Sequence, residues 1–200
     1  EKLVLMTEQA YEPTDADRSI IRASLKDTLT QFYVDQDMWV RNAKHNVDRL
    51  RLVGIPHDQV PQLKLFVTYL DQRYKALTGK SNRDDELLHA YSVLSAVFKD
   101  MLDANGDLFN VVTKDAIDGA QHARRVIYDF SSLINRGKGV AMAQLVNVLA
   151  FAASALGEGD TLIVHGAELI DEGVKPYVTD QFERLYRRNA RVALCYNCLL

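Results

Sequence analysis

Scarcities say more about this sequence than excesses do. Only two of its 200 residues are cysteine, Cys195 and Cys198, both within the last six positions. Two such thiols make no disulfide framework, and a reducing compartment is the expectation. A dominant sign of charge is missing too: 24 Lys and Arg against 27 Asp and Glu leave a formal net charge of −3. That balance argues against a generally basic nucleic-acid surface and confines any nucleic-acid role to a local patch. No run of about 18 uncharged apolar residues occurs, and the opening Glu1-Lys-Leu-Val-Leu-Met6 is too short for the core of a signal peptide. A soluble chain is therefore expected. His45, His57, His89, His122 and His165 are scattered without ligand spacing, so no metal site is expected. Internal repeats, low-complexity tracts and Gly/Ser linkers are absent as well.

What is present is ordinary globular chemistry, 48% hydrophobic and 26% charged, enough for a real core. The chain opens without a methionine and stops in or just after a strand, which leads us to expect a piece of a longer protein. Residues 1–7 form a brief apolar run with the look of a strand. Thr14 followed by Asp17 has the form of a capping box, in which hydroxyl and acid satisfy the first free amides of a helix. Ile20, Ile21, Leu25, Leu29, Phe32 and Tyr33 then recur at helical spacing. Trp39 and residues 41–51 read as a loop or short helix. Pro61 suits a first helical turn, and Leu63, Phe66, Leu70, Tyr74 and Leu77 carry a second stripe to Gly79. A third stripe runs from Leu87 to Leu102, with Asn105-Gly106 expected as a left-handed cap. Three such helices with short links pack as a bundle.

From residue 125 the period changes. Short β-branched runs at 125–130, 161–165 and 191–196 alternate with helical segments at about 140–156 and 174–188. This is the pattern of a parallel sheet wrapped by helices. The fold class expected is therefore α/β with a large all-α part, a helical bundle over residues 8–110 followed by a parallel β-α-β-α-β half-domain over 120–200. Parallel sheets place ligands at the carboxyl ends of their strands. The residues to question are thus 129–131, 165–168 and 196–198.

Each candidate has a plainer structural role. Thr78-Gly-Lys-Ser81 looks like the tail of a phosphate-binding loop, but Tyr74 stands where the pattern needs glycine, and Gly79 ends a helix rather than opening one. Cys195 and Cys198 have the spacing of redox pairs and half zinc sites, yet they end a strand, and no further ligand pair exists. His165 ends an apolar strand, where a hydrogen-bonding role is equally open. Asp129 and Ser131 suit either chemistry or the capping of a following turn. Arg184, Arg187, Arg188 and Arg191 complement a helix C-terminus, with phosphate or subunit contact as the alternative.

In order and local pattern, the sequence resembles the C-terminal half of the motor domain of conjugative type IV secretion ATPases, members of the HerA and FtsK group of RecA-like motors. The resemblance rests on the helical block, Val126-Ile-Tyr-Asp-Phe-Ser-Ser-Leu133, Met142-Ala-Gln-Leu-Val-Asn-Val-Leu149, Gly159-Asp-Thr-Leu-Ile-Val-His-Gly-Ala-Glu168 and Arg184-Leu-Tyr-Arg-Arg188. It implies an all-α insertion ahead of a RecA-like sheet, a parent that uses ATP and magnesium, a hexamer, DNA contact and secretion-machine partners. It also implies a cytoplasmic location, reaching the inner face of the membrane through those partners.

At the Walker B strand, where the family carries Asp-Glu-Ala, this sequence has His165-Gly166-Ala167, and Glu168 lies two positions late. Magnesium prefers hard oxygen ligands and the attacking water needs an orienting base; histidine and glycine supply neither. By the same resemblance Asn197 takes the sensor position, Arg187 and Arg188 match a basic pair, and Asp129 ends the preceding strand. No Walker A loop is present, so no cofactor is expected for these 200 residues alone. The reading that competes is a non-enzymatic α+β interaction or scaffold protein.

Overall fold

The computed structural model describes residues 2–51, 56–79, 84–111 and 123–197. The chain divides into two compact units, Pro13–Asp118, and Lys2–Glu12 together with Gly119–Leu200. Residues 8–12, assigned to the helical block from the sequence, thus lie in the second unit.

Among the described residues the regular structure of the first unit is all helical. Helix α2 (Asp15–Asp35) starts at Thr14, whose hydroxyl accepts from the Asp17 amide at 3.2 Å and donates to its carboxylate at 2.9 Å. Short 3-10 turns follow at Ala43–His45, Val47–Arg49 and His57–Gln59. Helix α3 (Leu63–Thr78) is preceded by Pro61 and capped by Gly79. Pro61 therefore lies just outside the first turn it was expected to occupy. Helix α4 (Asp85–Phe109) is capped by Asp84, whose carboxylate accepts the Leu87 amide. It does not stop at Asn105-Gly106: Asn105 has φ −141° and marks a kink, and the helix continues to Phe109. Asn105 is buried and keeps a negative φ, so the expected left-handed cap is not formed there.

The stripes predicted for α2, α3 and α4 converge on an aromatic core. Phe66 meets Phe32 and Phe98 edge to face, with ring centroids 5.2 and 5.4 Å apart. Tyr69 lies edge-on to Phe32 at 5.3 Å. Its hydroxyl accepts from Arg73 Nε at 3.0 Å, and the Arg73 guanidinium also pairs with Asp35. Burial pushes the Tyr69 hydroxyl up to about 12. Because the native state keeps this proton to higher pH than the unfolded chain, the stability it contributes is complete below pH about 10. It is lost as pH rises to about 12. Urea midpoints measured across that window should fall, and the fall should be shallower in Tyr69→Phe; equal slopes would show that Tyr69 does not report on folding.

The second unit begins with helix α1 (Lys2–Tyr11), where a strand was expected. Four apolar residues in a row carry no decisive period, and tertiary packing settles the matter. Met6 and Thr7 are buried, and the Thr7 hydroxyl donates to the Leu3 carbonyl one turn back. Helix α1 lies antiparallel along α6 (Lys138–Ala155): Lys2 reaches Asn147, while the Gln9 carbonyl abuts Gly139. By length and composition α6 is apolar enough to cross a membrane, but half of it is buried inside the protein, with Ala143 and Val146 fully enclosed.

Among the described residues two strands form a sheet, β1 (Thr161–His165) and β2 (Arg191–Cys195), parallel and in the register Thr161 to Arg191 through His165 to Cys195. Helix α7 (Lys175–Arg187) crosses between them. Leu162 and Val192, paired in the ladder, pack with Ala153 and Leu156 from the end of α6 and with Leu185 of α7. Both helices therefore cover one face, and Ile163, 54% exposed, marks the open one.

The third expected strand is corrected. Residues 125–130 carry no strand pairing, and Val126, Ile127 and Tyr128 are exposed. A local competitor explains it. Asp129 accepts from both the amide and the hydroxyl of Ser131, just ahead of a short helix, α5 (Ser131–Ile134), so the strand pattern gives way to a local turn.

Candidate functional site

Parallel pairing brings the carboxyl ends of β1 and β2 side by side, and the chain leaves each end differently. After His165 comes Gly166 with φ +72°, a left-handed conformation that costs other residues about 1–2 kcal/mol. Its amide extends the ladder by donating to the Cys195 carbonyl at 2.9 Å. The sharp exit lets residues Ala167–Leu169 form a 3-10 turn that buries Ala167 and presents Glu168 outward.

Glu168 then reaches across to the other strand. Its Oε2 accepts the backbone N–H of Asn197 at 3.2 Å. The Asn197 side-chain amide lies beside Gly166, 3.9 Å from where a Cβ would stand. Gly166, Glu168 and Asn197 thus meet at the carboxyl end of the sheet, where His165 ends β1. The groups that meet there are a solvent-facing carboxylate and an amide.

The other candidates lie elsewhere. Asp129 is engaged with Ser131, whose hydroxyl and amide hold the carboxyl below the usual range. Arg188 donates to the carbonyls of Ala153 and Ser154, satisfying the free end of α6, and Arg187 pairs with Glu183. Both arginines precede β2, so roughly 17 Å of strand separates them from Glu168 and Asn197. Within one chain they do not share a site with that pair. Cys195 is half-buried, whereas Cys198, Lys80, Ser81 and His122 lie outside the described residues.

One feature went unread in the sequence. Lys138, between Gly137 and Gly139, opens α6, and its ammonium pairs with Asp171 in the loop after β1 at 3.1 Å. The Gly173 amide and Lys138 together hold the Asp171 carboxyl below the usual range. Glycine flanking a lysine ahead of a long apolar helix is the signal that marks it. Among the described residues, no three of His, Cys, Asp and Glu gather as metal ligands.

Comparison with protein-family models, curated proteins and solved structures finds no match.

Proposed function

We propose that this chain is part of a conjugation-type motor protein, acting in DNA transfer or secretion as a scaffold or weak ATPase whose nucleotide site has lost its Walker B acids. The observation that carries this reading is the junction at the strand ends: two adjacent parallel strands present Glu168 and Asn197, the positions that resemble an acid and a sensor, in direct hydrogen-bonded contact. The discontinuity of the second unit also supports it, because a helical block inserted into an α/β unit is what the resemblance implies. The finer architecture belongs to the same proposal: half of a RecA-like sheet. So do a hexameric parent that binds ATP and magnesium, secretion-machine partners, DNA contact and a place at the cytoplasmic face of the membrane.

Glycine at 166 explains the missing acid. The left-handed turn there is what brings Glu168 to Asn197, so the strand end is built for a backbone latch rather than for magnesium. That same latch favours the second reading, an interaction or scaffold protein without nucleotide chemistry. ATP hydrolysis tests the assignment of the strand end, since both readings expect none from these residues alone. The purified chain should show none above background and bind ATP weakly or not at all, since phosphate affinity in such motors comes mainly from a Walker A loop. Hydrolysis that survives purification and drops on Glu168→Ala would instead make Glu168 the catalytic acid.

A further inference from the structure

After α2 the chain makes a loop that is closed at its foot, where the Arg51 amide donates to the Met38 carbonyl at 3.1 Å. Compact loops with their ends together are frequently functional. Residues 41–51 fill it with two 3-10 turns and carry Arg41, Lys44, Arg49 and Arg51 against one acid, Asp48, in a chain whose total is −3. All four cations are exposed. Among the described residues none of them pairs with a carboxylate, and Arg41 donates to the Gln31 amide oxygen instead. By contrast, Arg73 of α3 and Lys99 of α4 are held by Asp35 and Asp71. At the foot, Arg51 and Lys64 line an open cavity with Asp37 and Asp58, where charges balance, so the positive excess rests on Arg41, Lys44 and Arg49.

We infer that residues 41–51 are a contact surface for the phosphate backbone of a nucleic acid. Val47 is the one large apolar side chain exposed on the loop, so the surface lacks the apolar and aromatic centre of a protein interface. Phosphates need no such centre, because affinity comes from cations that displace condensed counterions. Three of the four cations are arginine, whose guanidinium grips phosphate oxygens in pairs. The loop keeps its shape through its own hydrogen bonds, with the Asn46 side chain donating to the Asn42 carbonyl at 3.2 Å, which leaves the cations free for a ligand. Contacts of this kind position a nucleic acid without reading its sequence. The surface deepens the DNA contact of the motor reading by giving it residues, yet it stands on the loop's charge alone.

Fluorescence anisotropy of a short labelled DNA duplex, titrated with the chain at several salt concentrations, tests the surface. Each neutralised phosphate contributes about −0.9 to the slope of log K against log salt, so four cations give about −3.6. The triple variant Lys44→Gln, Arg49→Gln, Arg51→Gln should bind at least ten-fold more weakly at low salt, with a slope near about −0.9. Its conservative counterpart Lys44→Arg, Arg49→Lys, Arg51→Lys should bind like the unsubstituted chain. Lys26→Gln with Lys75→Gln removes exposed cations from α2 and α3 instead, and should cost less than about three-fold. All these side chains are exposed, so unfolding midpoints should stay equal. No binding at low salt, or equal losses in the triple variant and the helix control, would overturn the surface. Displacement of the duplex by poly-glutamate at equal charge would assign the loop to an acidic protein and overturn it too. Absence of ATP binding in the parent changes none of these outcomes.

Discussion

Replacing Phe98 with alanine should destabilise the first unit by about 3–5 kcal/mol, the usual cost of emptying a large aromatic site in a packed core. Phe98 is fully buried on α4 and meets Phe66 edge to face at 5.4 Å. Phe66 in turn holds Phe32 and stacks at 6.4 Å on Tyr69, so one truncation loosens all three helices. Lost ring contact adds about 0.5–1.5 kcal/mol beyond the area term. Since whole domains are stable by about 5–15 kcal/mol, the variant should unfold at much lower urea. Phe98→Leu keeps most of the volume and should cost clearly less. A loss below about 1 kcal/mol for Phe98→Ala would mean that the site collapses without cost and the aromatic core is not the unit's centre.

Gly139→Ala should do comparable harm in the second unit. An alanine normally improves a helix by up to about 1 kcal/mol over glycine. Here the added Cβ would overlap the Gln9 carbonyl oxygen and crowd its carbon at 3.2 Å. Neither is a flexible side chain, so α1 must move off α6. Overpacking of this kind costs about 1–3 kcal/mol, and the backbone neighbour places it at the upper end. Gly157 meets nothing within 4 Å and is the control, where alanine should be nearly neutral. Thermal unfolding of both variants decides it: equal midpoints would show that α1 is not docked through Gly139.

These two sites differ in how far the sequence announces them. Phe98 sits on a stripe with Leu94 and Met101, and the period alone places it in a core. Gly139 carries no such mark, because the contact that demands glycine comes from a helix about 130 positions earlier in the chain. The same non-local packing turned residues 2–11 into a helix where four apolar residues suggested a strand. Strands β1 and β2 were legible because each is short, largely apolar and flanked by turn residues, and β1 is also rich in β-branched side chains. Residues 125–130 share that signature, yet Asp129 gives the backbone a local partner in Ser131. At the strand ends, the sequence marked His165, Gly166, Glu168 and Asn197, and the structure places Gly166, Glu168 and Asn197 against one another. It could not reveal the latch, which depends on the left-handed turn at Gly166 and on the register of β2. Nor could it show that Arg187 and Arg188 lie at the opposite end, since that follows only from the direction of the strands.

The central claim is a nucleotide site that has lost its acid. The measurement that tests it most directly is ATP turnover, with magnesium, by the complete parent chain carrying His165→Asp. Position 165 is exposed and ends a strand, so aspartate fits there, whereas Gly166 must keep its left-handed turn. The account predicts that the parent binds ATP and turns it over weakly, and that His165→Asp raises turnover at least ten-fold. A parent that binds no ATP, with or without the substitution, would contradict it.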